Sequence, residues 1–338
     1  MNPLPADFVI ETVEMHTGGE PVRIALNLID MIQGADILAK RRFMSERLDP
    51  VRRLLMHEPR GHYDMYGAVL VQPSMPNADL AVLFTHNEGY STMCGHAVIA
   101  LARFALDSGK VPAVAPLTRV GIECPCGLVD AWVEIKNGKA GAVQFESVPA
   151  FAFALDLPVS VPGIGEVVVD IGYGGAFYAV VAAEKLGVSL DGRLRDLVDA
   201  ASALTQAVRD TIAVRHPSAD DLSFLYGSIL TDGRDRAADG CSSNVCVFAD
   251  AEVDRSPTGS GVTARMAIRH AKGLLAPGET CEFKSLTGAL FNGTVLGQSQ
   301  LPGHDAVTVR VAGRAHYSGK ASWSLEADDL IGQGFLLH

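Results

Sequence analysis

Thr92-Met93-Cys94-Gly95-His96-Ala97 leads into residues 98–106, an apolar run with helical periodicity, and the arrangement returns 164 positions further on. There Ser256-Pro257-Thr258-Gly259-Ser260-Gly261 leads into a comparable run through Met266 and Ile268 to Ala271. Each stretch reads as a strand-to-loop transition feeding the N-terminus of a helix buried on much of its surface. One repeat at this distance implies a duplicated domain, because solenoids use shorter units in larger number.

Two further echoes lie upstream. Met15-His16-Thr17-Gly18-Gly19-Glu20-Pro21-Val22-Arg23-Ile24 is matched by Ile171-Gly172-Tyr173-Gly174-Gly175-Ala176-Phe177-Tyr178, the glycine pairs being 156 positions apart. Both read as a strand, a double-glycine turn and a second strand. Met65-Tyr66-Gly67-Ala68-Val69-Leu70 is matched by Leu225-Tyr226-Gly227-Ser228-Ile229-Leu230, 160 positions on. Both are short β-rich runs. After each helix the pattern returns to strands, at residues 120–124 and 128–135 in the first half and 281–285 and 306–311 in the second. The chain therefore reads as a mixed α/β (α+β) protein of two similar domains. Residues 1–150 form the first and carry Cys94, with a C-terminal segment from about 320 to 338 returning to it. Residues 151–319 form the second and carry Thr258. The prolines at 149, 158 and 162 mark residues 148–162 as the boundary, and residues 186–208 read as a surface helix of the second domain.

A helix N-terminus presents unpaired N–H groups and the positive end of the helix dipole, and glycine lets a ligand approach it closely. Two such ends in one cleft could hold a carboxylate with main-chain donors alone. Cys94 sits at such a start, where a thiolate is favoured as base or nucleophile. A buried, inert cysteine is the alternative, and the Gly95-His96 flank and the duplicated partner favour the chemical reading. His96 reads as a group that orients substrate or tunes Cys94, or as an ordinary hydrogen-bonding residue. Asp254 reads equally as an acceptor for a substrate ammonium or as a turn residue beside Arg255. His16 reads as a strand-end residue. Cys124, Cys126, Cys241, Cys246 and Cys281 lack comparable surroundings and read as core cysteines.

Composition narrows the function classes. The 338 residues are 48% hydrophobic and 20% charged, with a formal net charge of −11, the profile of a globular protein. Basic residues are scattered, which argues against a nucleic-acid partner, and the triplet Lys40-Arg41-Arg42 reads as a solvated helix face. No apolar run approaches the roughly 18–20 residues of a membrane span. Residues 1–8 lack a basic stretch before an apolar segment, so a cytoplasmic address is expected. Cys124-Pro-Cys126 lacks the spacer of a zinc knuckle. A metal held there with His57 or His62 is disfavoured, and no metal, pyridoxal or nicotinamide motif is present.

Four stretches carry a family resemblance: Met15 to Pro21, Glu58-Pro59-Arg60-Gly61-His62, Asn87 to His96, and Asp254 to Gly261. With them the chain resembles the proline racemase family, whose architecture is that of diaminopimelate epimerase. The resemblance implies two domains, each an antiparallel sheet or barrel wrapped around a central helix, with the active site between them. It implies that Cys94 is the first of two groups facing opposite sides of a substrate α-carbon. It places the substrate carboxylate on N–H groups around Gly95, His96, Gly259 and Ser260, and the imino nitrogen near Asp254 and His96. Tyr66 and Phe248 fall where the family has aromatic pocket walls.

The sequence departs from the racemase pattern at the second group, which is Thr258. A threonine hydroxyl does not ionise near neutral pH and cannot act as a second acid/base. Members with Cys first and Thr second resemble dehydratases of trans-3-hydroxy-L-proline. The resemblance therefore implies a cofactor-independent hydro-lyase for a small imino acid, with a homodimer left open. The alternatives are a proline racemase or 4-hydroxyproline 2-epimerase with another proton donor, and a non-catalytic imino-acid-binding protein.

Overall fold

The computed structural model of the protein describes residues 8–337; the N-terminal reading above rests largely on residues 1–7, which lie outside the described residues. The chain divides into two compact units. The first comprises residues up to 92, 97–143 and those from 314 onward; the second comprises residues 93–96 and 144–313.

In the first unit, β1 (Ile10–Thr17) and β2 (Glu20–Ala25) form a hairpin. Its turn, Gly18-Gly19, has φ of 64° and 92°, where glycine avoids the Cβ clash of other residues. Helices α1 (Ile37–Arg47) and α2 (Asp49–Met56) follow. Strand β3 (Gly67–Val71) then joins β2 in parallel, and β4 (Leu80–Thr85) and the short β5 (Tyr90–Ser91) add antiparallel neighbours. Every residue of β3 and β4 is buried, the signature of strands covered on both faces. One face contributes Val69, Val71, Ala81 and Leu83 to a core shared with Met44, Val51 and Leu54 of α1 and α2. Helix α3 (Gly95–Asp107) is apolar all round, with Ala97 to Ala102 wholly buried, as a central helix must be. Strand β6 (Leu117–Cys124) pairs in parallel with β4, β7 (Gly127–Lys136) pairs with β6, and β8 (Lys139–Glu146) carries the chain into the second unit. The strand Ala315–Trp323 pairs with β1.

The second unit repeats this order. Its elements are β9 (Ala150–Val161), β10 (Gly165–Tyr173), β11 (Phe177–Ala182), α4 (Leu194–Thr211), β12 (Leu225–Thr231), β13 (Ser242–Phe248), β14 (Glu252–Asp254), α5 (Gly259–Ala271), β15 (Thr280–Lys284), β16 (Leu290–Leu301) and β17 (His304–Gly313), with Ala315–Trp323 completing the series as β18. The β10–β11 hairpin turns at Gly174-Gly175, and β12 joins β11 in parallel, as β3 joins β2. Pairing continues through β13, β15, β16 and β17, and β17 pairs back to β9, which itself pairs with β10. The result is a closed barrel. Helix α5 fills it: a Cβ at Gly172, Gly261 or Gly293 would lie 2.8 Å from Ile268, 2.5 Å from Ile229 or 2.9 Å from Val262, respectively. Those contacts come from three strands and the helix itself. Outside the barrel, Leu197, Ala201, Leu204 and Val208 of α4 pack with Val169, Leu230 and Val245.

Three expectations need correction. The proline-marked boundary at 148–162 is largely strand β9, and the units divide at 143/144 and 313/314 instead, with Met93 to His96 grouped with the second unit. Pro158 is tolerated because it pairs with β10 only, opposite Val168, whereas β17 meets β9 at Ala150 and Phe151. Proline fits a strand where its missing N–H has no ladder partner. The surface helix starts at Leu194 rather than near 186, because a short 3-10 turn ends at Gly187 in the left-handed region (φ 74°). Lys40-Arg41-Arg42 is not a uniformly solvated face: Lys40 is buried, and Arg41 donates to the Tyr90 carbonyl (2.6 Å).

The glycine turn of the second unit packs directly on α5. A Cβ at Gly174 would lie 2.2 Å from the Ser260 carbonyl oxygen and 2.6 Å from Ala264 N, so only a backbone shift could admit it. Gly174→Ala should lower stability by about 1–3 kcal/mol, the usual cost of overpacking. A calorimetric unfolding midpoint equal to that of the wild type would contradict this.

Candidate active site

The turn into α5 is wound by short side chains. Ser256 N–H donates to Asp254 Oδ1 (2.7 Å), and Thr258 N–H donates to Ser256 Oγ (3.1 Å). The Pro257 carbonyl accepts from Asn244 Nδ2 (3.3 Å), and the Thr258 carbonyl accepts the first helical bond from Val262 N–H (2.6 Å). This winding holds Thr258, the N-cap of α5, at φ 65° and ψ 87°. Left-handed backbone at a β-branched residue costs on the order of 1–3 kcal/mol and clusters at functional sites. The Thr258 hydroxyl is buried and meets no partner at hydrogen-bond distance among the described residues, yet lies near enough to Asp254 to favour its ionised form.

The start of α3 is built differently. Cys94 is buried, and its Sγ lies 3.0 Å from His96 Nδ1. A proton can pass directly across that contact. Gly95 and Gly259, the first residues of the two helices, are in close backbone contact. A Cβ on Gly95 would lie 2.5 Å from Gly259 Cα, and one on Gly259 would lie 2.7 Å from Gly95 Cα. The Phe145 ring lies beside both positions, 3.1 and 3.3 Å from where a Cβ on Gly95 or Gly259 would stand. The second unit thus brings together Cys94, Gly95, His96, Asp254, Thr258, Gly259 and Ser260.

One residue of the site was not legible in the sequence. Tyr178 is wholly buried in β11, with its hydroxyl 2.7 Å from Ser260 Oγ. Burial pushes its phenol well above the usual value, Cys246, Cys94 and Asp254 add to the shift, and the Ser260 contact opposes it. The only signal was an inequality in the repeat, which has Tyr178 where the first half has Val22. Phe248 belongs to the same aromatic row, its ring 5.2 Å from Tyr226, which in turn lies 5.8 Å from Tyr178. Tyr66 belongs to the first unit, where its ring lies 6.3 Å from His86. His16 is the penultimate residue of β1, accepts from Gly19 N–H (3.3 Å) and stacks on His316. Among the described residues no three His, Cys, Asp or Glu side chains converge as a metal site, and His57 Nε2 is instead engaged with the Asn87 carbonyl (2.9 Å). No described helix is long and apolar enough to cross a membrane.

These paired helix starts sit within a sequence that matches the proline racemase family model over residues 12–336. The chain belongs to the proline racemase family. Among relatives in that family, the human trans-3-hydroxy-L-proline dehydratase is 56% identical, over 98% of this chain and 96% of its own length. A 3-hydroxyproline 2-epimerase from Burkholderia multivorans is 42% identical, over 97% and 98%. The fold is that of a hydroxyproline epimerase from Agrobacterium vitis solved with bound trans-4-hydroxy-L-proline: TM-score 0.92, 28% identity, 97% of this chain and 95% of that one.

Asp254 gives the site a titration of its own. Burial raises its carboxyl from 3.8 to about 6, against opposing hydrogen bonds from Ser256, the nearby Thr258 hydroxyl and the charge of Arg255. A raised folded-state pKa means that folding favours the protonated form. Its contribution to stability is present below about pH 4 and is lost as pH rises through 6. Proton-binding curves of wild type and Asp254→Asn should therefore differ by a group centred near 6. A difference centred near 4 would show an ordinary, solvated carboxylate.

Proposed function

We propose that the protein dehydrates trans-3-hydroxy-L-proline to 1-pyrroline-2-carboxylate, with Cys94 as the base. The observation that carries this is the unlike pair at the joined glycines: an ionisable thiol precedes Gly95, and a hydroxyl that does not ionise near neutral pH precedes Gly259. The activity named for the human relative at 56% identity supports the same reading.

The stereochemistry needs only one base. In trans-3-hydroxy-L-proline the 3-hydroxyl and the α-hydrogen both lie opposite the carboxylate, so they share a ring face. Cys94 thiolate takes the α-proton, and the C–H electrons form the double bond to carbon 3. The C–O bond breaks on the same face, and the Cys94 thiol returns its proton to the departing hydroxide as water. The enamine then tautomerises, gaining a proton at carbon 3 and losing one from nitrogen to solvent, to give the imine. No oxidant or reductant is required. His96, at 3.0 Å, can relay the thiol proton.

Main-chain N–H groups around Gly95, His96, Gly259 and Ser260 receive the carboxylate and stabilise the charge that develops on it. Loss of one such donor typically costs on the order of 10²–10³ in rate. Ionised Asp254 accepts from the substrate ammonium, and Thr258 positions the ring without exchanging protons. Phe248 serves as an apolar wall. The proposal extends to a cofactor-independent, cytoplasmic enzyme of small imino acids, with a homodimer as the assembly to test by sedimentation.

Purified protein given trans-3-hydroxy-L-proline without added cofactor should form the cyclic imine, and Cys94→Ser should slow this by at least ~10²–10⁴-fold. The cis isomer, with its hydroxyl on the Thr258 face, should be a poor substrate; equal turnover of the two would overturn the one-face scheme. Thr258→Cys supplies the missing second acid/base and should bring α-inversion of proline, read as deuterium uptake with formation of the D-isomer. A variant that binds proline but shows no inversion would contradict the assigned faces. Wild-type protein that exchanges the α-proton of 4-hydroxyproline and forms no imine would instead indicate an epimerase.

A further inference from the structure

Beyond its first turn, α5 carries two arginines one helical turn apart, Arg265 and Arg269, each only 2% exposed. Burying like charges side by side is costly unless each is paired. Among the described residues Arg265 makes no ion pair with a carboxylate at contact distance. Its Nη1 donates to Asn244 Oδ1 (3.0 Å) and its Nη2 to Ser242 Oγ (2.6 Å), both neutral acceptors. Arg269 Nη2 donates to the Arg234 carbonyl and lies 3.6 Å from Asp235, whose side chain is 54% exposed. The Nε–H of each arginine is buried and has no hydrogen-bond partner among the described residues. Both guanidinium groups lie over the Phe283 ring, 4.8 and 5.0 Å from its centre.

The two arginines line a cavity of about 230 Å³, together with Lys185, Lys272, Thr231 and Asp235 among others. That is several times the ~30 Å³ share of a water molecule. Lys272 is already matched, by Asp156 and Asp170 at 2.8 Å each. Lys185 stands exposed at the rim. Burial, then the charge of Arg269, lowers the Arg265 guanidinium to about 9 against the pull of Asp235 and Asp232, so it is still charged at neutral pH.

We propose that this cavity binds a small oxyanion, held by the Arg265 and Arg269 guanidinium groups that line it and by the Lys185 ammonium. An anion there supplies the charge that the protein side chains leave unmatched. It also bears on the helix start, because Asn244 accepts from Arg265 and donates to the Pro257 carbonyl in the turn before Thr258. The inference is independent of the proposed reaction, since its readout is stability.

The test is thermal unfolding of the full chain in sodium phosphate against sodium chloride at equal ionic strength, with sodium malonate as a third arm. A ligand that binds only the folded state stabilises it in a saturable way. Phosphate or malonate should raise the midpoint by roughly 2 °C or more above chloride, and the anion that saturates at lower concentration identifies the class as phosphate or carboxylate. Lys185→Glu reverses a rim charge without burying anything, and should weaken the half-saturating concentration at least ~10-fold while leaving the midpoint in chloride unchanged. No rise above chloride with either anion would overturn the proposal. So would a rise that persists unchanged in Lys185→Glu, because the anion would then be bound elsewhere, including at the paired helix starts.

Discussion

The contact between Gly95 and Gly259 is the constraint on which the site depends. Two helix N-termini are electrostatically alike, each carrying unpaired N–H groups and a partial positive charge, and nothing in that arrangement draws them together. They meet because neither residue has a side chain, with Phe145 beside both positions. A single methyl group at either glycine would separate them. Since Cys94 and Thr258 immediately precede the two glycines, the same contact fixes where the only thiol and the only hydroxyl at these positions stand. The positive φ of Thr258 is held by the chain of bonds from Asp254 through Ser256, so the acidic residue shapes the turn as well as facing it.

Placing a helix inside a closed barrel imposes a second constraint. All of Gly259 to Arg269 is buried, so each polar group on that segment needs an answer from the surrounding strands. Alternation along β13 directs Ser242, Asn244, Cys246 and Phe248 to one face. Ser242 and Asn244 serve Arg265, and Asn244 also serves Pro257. Further along the face, Phe248 joins the aromatic row that runs through Tyr226 to Tyr178. One strand face therefore supports both the buried arginine and the surroundings of the helix start. The strand positions nearest the helix are glycine, as at 172 and 293, because the Ile268, Val262 and Met266 side chains of the helix leave them no room, and at the turn residue Gly174 the helix backbone itself does.

The features that repeat were legible in the sequence, and those that do not repeat were hidden. The double-glycine turns, the short β-rich run after each hairpin and the glycine at each helix start all occur twice, so one copy exposes the other; that each run pairs in parallel with its hairpin was not legible, and the sheet is mixed rather than antiparallel. Residues 148–162 misled because proline density suggests a linker, whereas Pro158 lies on a stretch of β9 paired on one side only, a fact of pairing that no local pattern carries. Lys40 misled because its burial depends on tertiary packing. Tyr178 and Arg265 were invisible for a related reason: an aromatic residue in a strand and an arginine in a helix are both commonplace until the barrel closes around them.

Where the two halves differ, chemistry follows. The duplication supplies two equivalent frames, and a reaction that must attend to both faces of a carbon would keep both frames alike, with an acid/base at each helix start. Here the frames have diverged in step. Cys94 has His96 within a proton's reach, while Thr258 has a strained backbone and a hydroxyl with no hydrogen-bond partner among the described residues. At the corresponding point after the double-glycine turn, Val22 in one half is Tyr178 in the other, and Tyr178 is anchored to Ser260. Asymmetry at the acid/base position and at the hairpin suits a reaction in which protons move on one ring face only. Under the proposed one-face reaction the other face calls for no second acid/base, and Thr258, a residue that does not ionise near neutral pH, supplies none.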